Sequence, residues 1–336
     1  MKYFNILNLF NKNNSRSSIL SAAYNILKEF VKRKDWNKYK SYYIRQQKEA
    51  KLLSYLIPSS KLRKEFRNSF IFVRFPHKIK PKFAITESPD ISIVIPVYNQ
   101  FKITYECLKS IAYYRPNVPF EIIIADDCST DKTKNIEKLI PGLKVVRTTG
   151  NFGFLKNVNN AMKYAKGKYV FLMNNDMLVT ENWLDSSYEY IKQKDNIGIV
   201  GSICLNFEGS VQEYGAYLDS EGYAHLNIRD TYDDLVVQES DYCSGCSILF
   251  SKSDWEKLAG FDEQFSPAYY EDTDFSYGVK YQLNKKIICN PGSKIYHYRG
   301  KTYSYAAGSI SEINREKFIK KWGKYIKTNS KEEDRI

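Results

Sequence analysis

Three short stretches of the chain bring together side chains suited to handling a charged substrate. In Lys168 to Leu178 an apolar run, Tyr169 to Met173, stops at Asn174, Asn175 and Asp176. A carboxylate at the carboxyl end of a buried strand faces the crevice where ligands of open α/β sheets bind. There Asp176 supplies the anionic oxygen that a hard cation bridging phosphates requires. The same three residues also make an ordinary turn, and at this point both readings stand. The second stretch holds Asp126 and Asp127, followed by Ser129 and Asp131. Either of the latter can cap the next helix, which leaves one carboxylate over to accept a hydrogen bond from a nucleobase N–H. Gly150 to Gly153 offers a close backbone approach nearby, although glycines also serve plain turns.

The third stretch places Glu271, Asp272 and Asp274 behind Tyr269 and Tyr270, ahead of a helical segment expected over Phe275 to Tyr281. One or two of these acids suit a helix N-terminus. Three exceed that need, and one of them is placed to serve as a general base. Mutual repulsion is expected to raise the pKa of at least one member. Tyr269, Tyr270 and Trp255 are candidates to stack on a ligand or to fill the core. Among the three histidines, His297 follows a strand-like Lys294 to Tyr296. It is either a structural residue or a second metal ligand beside Asp176.

These groups need a sheet to carry them, and the texture from Ile91 onward supplies one. Ile91 to Val97, Phe120 to Ala125, Lys144 to Arg147 and Tyr169 to Met173 read as strands, alternating with helices around Leu108, Ile136 and Val158. Such alternation predicts right-handed crossovers and a mostly parallel sheet flanked by helices. The polar clusters at Asn99, at Asp126 and Asp127, and at Asn174 to Asp176 all follow strand ends. They are expected to converge on one crevice.

Composition divides the chain. Residues 1–90 hold 20 Lys and Arg against 6 Asp and Glu, whereas the rest hold 31 against 32, so the whole excess of +13 belongs to the first quarter. Residues 1–88 thus read as a basic, aromatic-rich helical region and linker, with Ile19, Ala22, Ala23, Ile26, Leu27 and Phe30 at helical spacing. Residues 89–336 read as the second domain. A basic aromatic segment can lie on an anionic membrane surface or pack as a solvated bundle. No recognised nucleic-acid module occurs in it, so nucleic acid is not an expected partner. No apolar run approaches the ~20 residues of a membrane span, and the first residues make a poor secretory signal. A cytoplasmic protein is expected, peripheral at most on the inner face of the cell membrane. Of the six cysteines, only Cys243-Ser-Gly-Cys246 has suggestive spacing. Buried reduced thiols are the expected reading, ahead of a redox pair or a zinc site.

Seven motifs in order, Ile95-Pro-Val-Tyr-Asn99, Asp126 to Asp131, Asn151-Phe-Gly153, Leu172 to Asp176, Gly260-Phe-Asp262, Tyr269 to Asp274 and His297, make the chain from about Ile91 to Tyr325 resemble family 2 inverting glycosyltransferases of the GT-A fold. The resemblance is nearest to bacterial polysaccharide enzymes of the rhamnosyltransferase type. It implies a dTDP- or UDP-linked sugar donor held by Pro96, Tyr98, Asn99, Asp127, Gly153, Asn174 and Asn175. It further implies a divalent metal, Mg²⁺ or Mn²⁺, at Asp176 and His297, with Asp272 as the base that deprotonates the acceptor hydroxyl. The acceptor implied is a glycan or lipid-linked glycan of a cell-surface polysaccharide. The family's Asp-x-Asp has Asn174 in its first place here, one charge fewer at the metal. The alternative is a non-catalytic scaffold that docks to a membrane or to partner enzymes.

Overall fold

β1 (Ile91–Val97), α1 (Phe101–Tyr113), β2 (Phe120–Asp126), α2 (Ile136–Leu139), β3 (Leu143–Arg147), α3 (Phe154–Met162) and β4 (Tyr169–Met173) follow one another in the computed structural model. Next come β5 (Met177–Val179), α4 (Asp185–Gln193), β6 (Ile197–Leu205), β7 (Val211–Glu213), β8 (Ala216–Leu218), β9 (Ala224–Leu226) and β10 (Gln238–Glu239). β11 (Ser247–Ser251), α5 (Lys252–Lys257), α6 (Glu271–Tyr277), β12 (Lys286–His297) and α7 (Ala307–Glu333) complete the order. The structure describes Phe75 and residues 79–207, 209–298 and 307–333, with side chains in the last segment from 308 to 326. The helices expected before Pro76 lie outside the described residues.

Ten strands form one sheet, whose main path runs β10-β12-β6-β11-β4-β1-β2-β3. From β3 to β4 the pairing is parallel, as the strand–helix alternation predicts. β11 then enters antiparallel between β4 and β6, and β12 runs parallel to β6. Every residue of β1, β4 and β6 is buried, because helices cover both faces. Alternation assigns the faces: Val94, Ile123 and Leu172 meet Leu155 and Val158 of α3 on one side. Ile93, Ile95, Ile122 and Phe171 meet Leu108 and Ile111 of α1 on the other. Each such side chain contributes about 1.5–3 kcal/mol on burial, so the two cores fix the register of the strands whose ends carry polar residues.

Two packing details bear directly on those ends. Along α7, Asn314, Phe318, Trp322 and Ile326 recur every fourth residue and are buried. Phe318 packs on Tyr270 and Tyr277, which clamps α7 over the segment leading into α6. At the opposite end of the sheet, Phe83 packs on Phe120 and its N–H bonds the carbonyl of Pro141, so the chain ahead of β1 lies against the domain.

Candidate active site

The carboxyl ends of β1, β2 and β4 open on a crevice of about 420 Å³. Its walls include Pro96, Tyr98, Asp127, Gly153, Asn174, Asn175, Asp176 and Asp272, so eight of the ten residues that the family resemblance assigns to donor, metal and base meet there. The other two stand just behind. Asn99 turns its side chain from the crevice: its Oδ1 accepts from the backbone N–H of Thr130 at 2.8 Å and of Asp131 at 3.1 Å, tying the loop after β1 to the loop after β2. His297, at the end of β12, has Nε2 3.3 Å from Asp176 Oδ1.

Asp126 and Asp127 divide their work. Asp126 Oδ2 accepts from Arg147 Nε at 3.0 Å and its Oδ1 from the Ser129 N–H, which holds the turn. Asp131 caps the following turn through Thr133 and reaches over to the Phe101 N–H at the start of α1. Asp127 is left for the crevice. Its carboxylate accepts from Phe152 N, Gly153 N and Thr148 Oγ1 at 2.8 to 2.9 Å, and so moulds the glycine loop that enters α3. Gly153 has φ 86°, and a Cβ there would lie 3.2 Å from Pro267, so only glycine fits this close approach.

On the facing wall, α6 begins at Glu271, earlier than Phe275, and all three acids occupy its first turn. Tyr269 and Tyr270 ahead of it both have positive φ, 75° and 71°. Two consecutive aromatic residues in this region are strained, and such strain gathers at functional sites. Asp272 Oδ2 accepts from the Gly245 N–H at 2.9 Å and Oδ1 from the Thr273 N–H at 2.7 Å. Burial raises its pKa, against the lowering effect of those bonds. Glu271 is pushed well above the usual carboxylate range, first by burial and then by the charge of Asp272. Its Oε2 has no hydrogen-bond partner among the described residues. Desolvation, ahead of the mutual repulsion expected from the sequence, thus dominates here. Asp274 points away, to Trp322 Nε1 at 2.7 Å and to Lys321 on α7. Trp255 is 6% exposed and packs on Phe250, Phe261 and Phe275, so it belongs to the core. Tyr269 and Tyr270 do line the crevice.

Gln212 and Glu213 of β7 carry no spacing signal, and sequence reasoning missed both. Gln212 Oε1 lies 2.7 Å from His297 Nδ1. An amide oxygen only accepts, so Nδ1 carries the hydrogen and Nε2 is turned toward Asp176. In the neutral ring this sets a nitrogen lone pair against a carboxylate oxygen, an oxygen and nitrogen donor pair that fits a divalent cation. Glu213 Oε1 accepts from the Ser244 N–H and its Oε2 lies 3.9 Å from Cys246 Sγ. All six cysteines are free, five of them buried, and Cys243 and Cys246 sit in the turn before β11. Among the described residues no helix is long and apolar enough to cross a membrane.

The parallel half-sheet, the acidic crevice at its carboxyl edge and the antiparallel insertion are those of the GT-A glycosyltransferase fold. GalNAc-T7, solved with UDP, GalNAc and Mn²⁺, matches this fold with a TM-score of 0.58 at 15% identity, over 71% of this chain and 50% of that one. Residues 92–258 match glycosyl transferase family 2, and the chain belongs to that family. It is 26% identical over 153 residues to glycosyltransferase GlyG of Streptococcus pneumoniae, 44% of this chain and 48% of the relative. To chondroitin synthase of Escherichia coli it is 32% identical over 238 residues, 62% of this chain and 34% of that enzyme. The chain spans about half or less of the length of the curated relatives it matches.

Proposed function

We propose that the protein transfers a sugar, with inversion, from a dTDP- or UDP-linked donor to a hydroxyl of a growing cell-surface glycan. The observation that carries this reading is the pairing of two unlike walls in one crevice. Asp176, with His297 turned onto it by Gln212, lies on one wall and the proton-seeking Asp272 on the other. Asp127 and the glycine loop shape the wall for the nucleoside, while the Pro96 to Tyr98 edge borders the base. Asp176 and His297 would hold a divalent cation, which when bound supplies positive charge to a diphosphate leaving group. Asp272 accepts the proton of the attacking hydroxyl as that oxygen forms its bond to the anomeric carbon and the bond to the diphosphate breaks. No other side chain is assigned as a nucleophile, so a single displacement inverts the centre. The relatives named for polysaccharide synthesis support a glycan acceptor, lipid-linked or free. The basic excess of residues 1–88 supports their assignment as a separate region that brings the enzyme to an anionic membrane surface.

The decisive experiment combines donor screening by thermal shift with transfer assays in Mg²⁺ or Mn²⁺. A dTDP- or UDP-sugar should raise the melting temperature. Asp176→Ala should abolish transfer, whereas Asn174→Asp should preserve it or tighten cation binding. Full transfer by Asp176→Ala in the presence of a chelator, or a product of retained configuration, would refute this mechanism.

A further inference from the structure

Behind the crevice, His297 faces more than Asp176. The ligand atoms of Cys204, Cys246 and His297 all lie within 4.8 Å of one another. The two sulfurs are 3.7 Å apart. Tetrahedral zinc with Zn–S bonds of ~2.3 Å sets its two sulfurs about 3.8 Å apart, so this pair already has the separation of a bound pair. A histidine nitrogen completes three donors, and the Glu213 carboxylate lies 3.9 Å from Cys246 Sγ, next to the cluster but outside it. The outer contacts are also in place. Gln212 fixes the ring orientation of His297, and the Ser244 N–H holds Glu213. Cys246 lines the crevice, which gives an ion its way in.

The geometry points to a second cation site, built from Cys204, Cys246 and His297 with Glu213 beside them, that takes a thiophilic divalent ion of the zinc class. Binding forms two metal–sulfur bonds and one metal–nitrogen bond, and the two thiol protons leave to solvent. Thiolates select soft and borderline ions, whereas the carboxylate of Asp176 suits hard ones. The two sites share His297, so they exclude one another. Zinc at the thiols withdraws the imidazole from Asp176 and switches off an enzyme that works with Mg²⁺ or Mn²⁺. That inhibitory consequence rests on the proposed transfer reaction; the occupancy of the thiol site does not.

The full chain, reduced and stripped of metal, should be titrated with Co²⁺ as a spectroscopic stand-in for zinc. A near-ultraviolet sulfur-to-cobalt charge-transfer band is expected, saturating at one Co²⁺ per chain, discharged by Zn²⁺ and weakened by Mg²⁺ only in large excess, as competition for His297 requires. Cys204→Ser should lose it. Because Cys204 is buried in β6, a melt of the metal-free variant should accompany the spectrum, and Cys246→Ser, at the crevice wall, tests the same site independently. In transfer assays with Mg²⁺, the half-inhibitory zinc concentration of Cys204→Ser should rise at least ~10-fold, measured against that variant's own zinc-free rate. Absence of the band in the reduced wild type, or an unchanged band in both serine variants, overturns the site. A protein that shows the band but transfers no sugar keeps the site and refutes the transferase reading; transfer without the band does the reverse.

Discussion

In each of the two acidic clusters one carboxylate holds the fold while its neighbour turns to the crevice. Asp126 is tied to Arg147 and Ser129 beneath Asp127, and Asp274 is tied to Lys321 and Trp322 beside Asp272. What differs is the setting of the crevice-facing partner. Asp127 takes its donors from the Thr148 to Gly153 loop it shapes, so its two oxygens fix the backbone at the crevice wall. Asp272 sits beside an unpartnered Glu271 oxygen, and burial raises the proton affinity of both groups. Under the proposed mechanism, equal residue types thus serve as a fixed binding edge in one wall and a proton acceptor in the other.

Substitutions at the two walls should separate these roles, and the largest effect is expected at Asp272. Asp272→Asn should lower kcat by ~10²- to 10⁴-fold with donor affinity unchanged, read by steady-state kinetics and donor titration. Unimpaired turnover would move the base to Glu271. Asp127→Ala should act on the other quantity. It leaves buried N–H groups of the glycine loop without an acceptor, at ~1–3 kcal/mol, and calorimetry should find donor affinity lowered by ~10- to 100-fold. A loss confined to kcat would erase the contrast between the walls.

Asp274→Asn should cost about 1–2 kcal/mol in denaturant unfolding, because Lys321 is partly exposed and screened, and should leave kcat close to wild type. The smallest effect concerns Glu271. A carboxyl whose folded pKa is raised stabilises the fold fully below its unfolded pKa, and the contribution is lost as pH rises through the folded value. Wild type should therefore melt lower at about pH 8 than at about pH 5 by an amount that Glu271→Gln, which cannot ionise, reduces. Parallel melting profiles for the two proteins would mean that Glu271 takes no part in this dependence.

Much of the first wall was legible because its residues are local to strand ends. The apolar runs of β1, β2 and β4 announce where each strand stops, and a polar residue at that point has one crevice to face. Asp126 and Asp127 could be read as one structural and one spare carboxylate for the same reason. The second wall was legible in its acids alone. Their division depends on Gly245, Lys321 and Trp322, which are distant in sequence and reach the cluster through tertiary packing. Gln212 was invisible for a simpler reason: a glutamine on a three-residue strand has no pattern, and its meaning comes from β12 bringing His297 within 2.7 Å. Trp255 shows the reverse, an aromatic near an acidic motif that packing claims for the core.

The side-chain amide of Asn314 on α7 donates to the carbonyls of Phe265, Ala268 and Tyr269 at 2.7 to 3.0 Å. Two hydrogens serve three acceptors, and they pin the stretch that delivers Tyr269 and Tyr270 in their strained shape ahead of Glu271. The proposed proton acceptor is thus presented by a stretch held from 45 residues further along the chain, so Asn314 ties the facing wall of the crevice to α7.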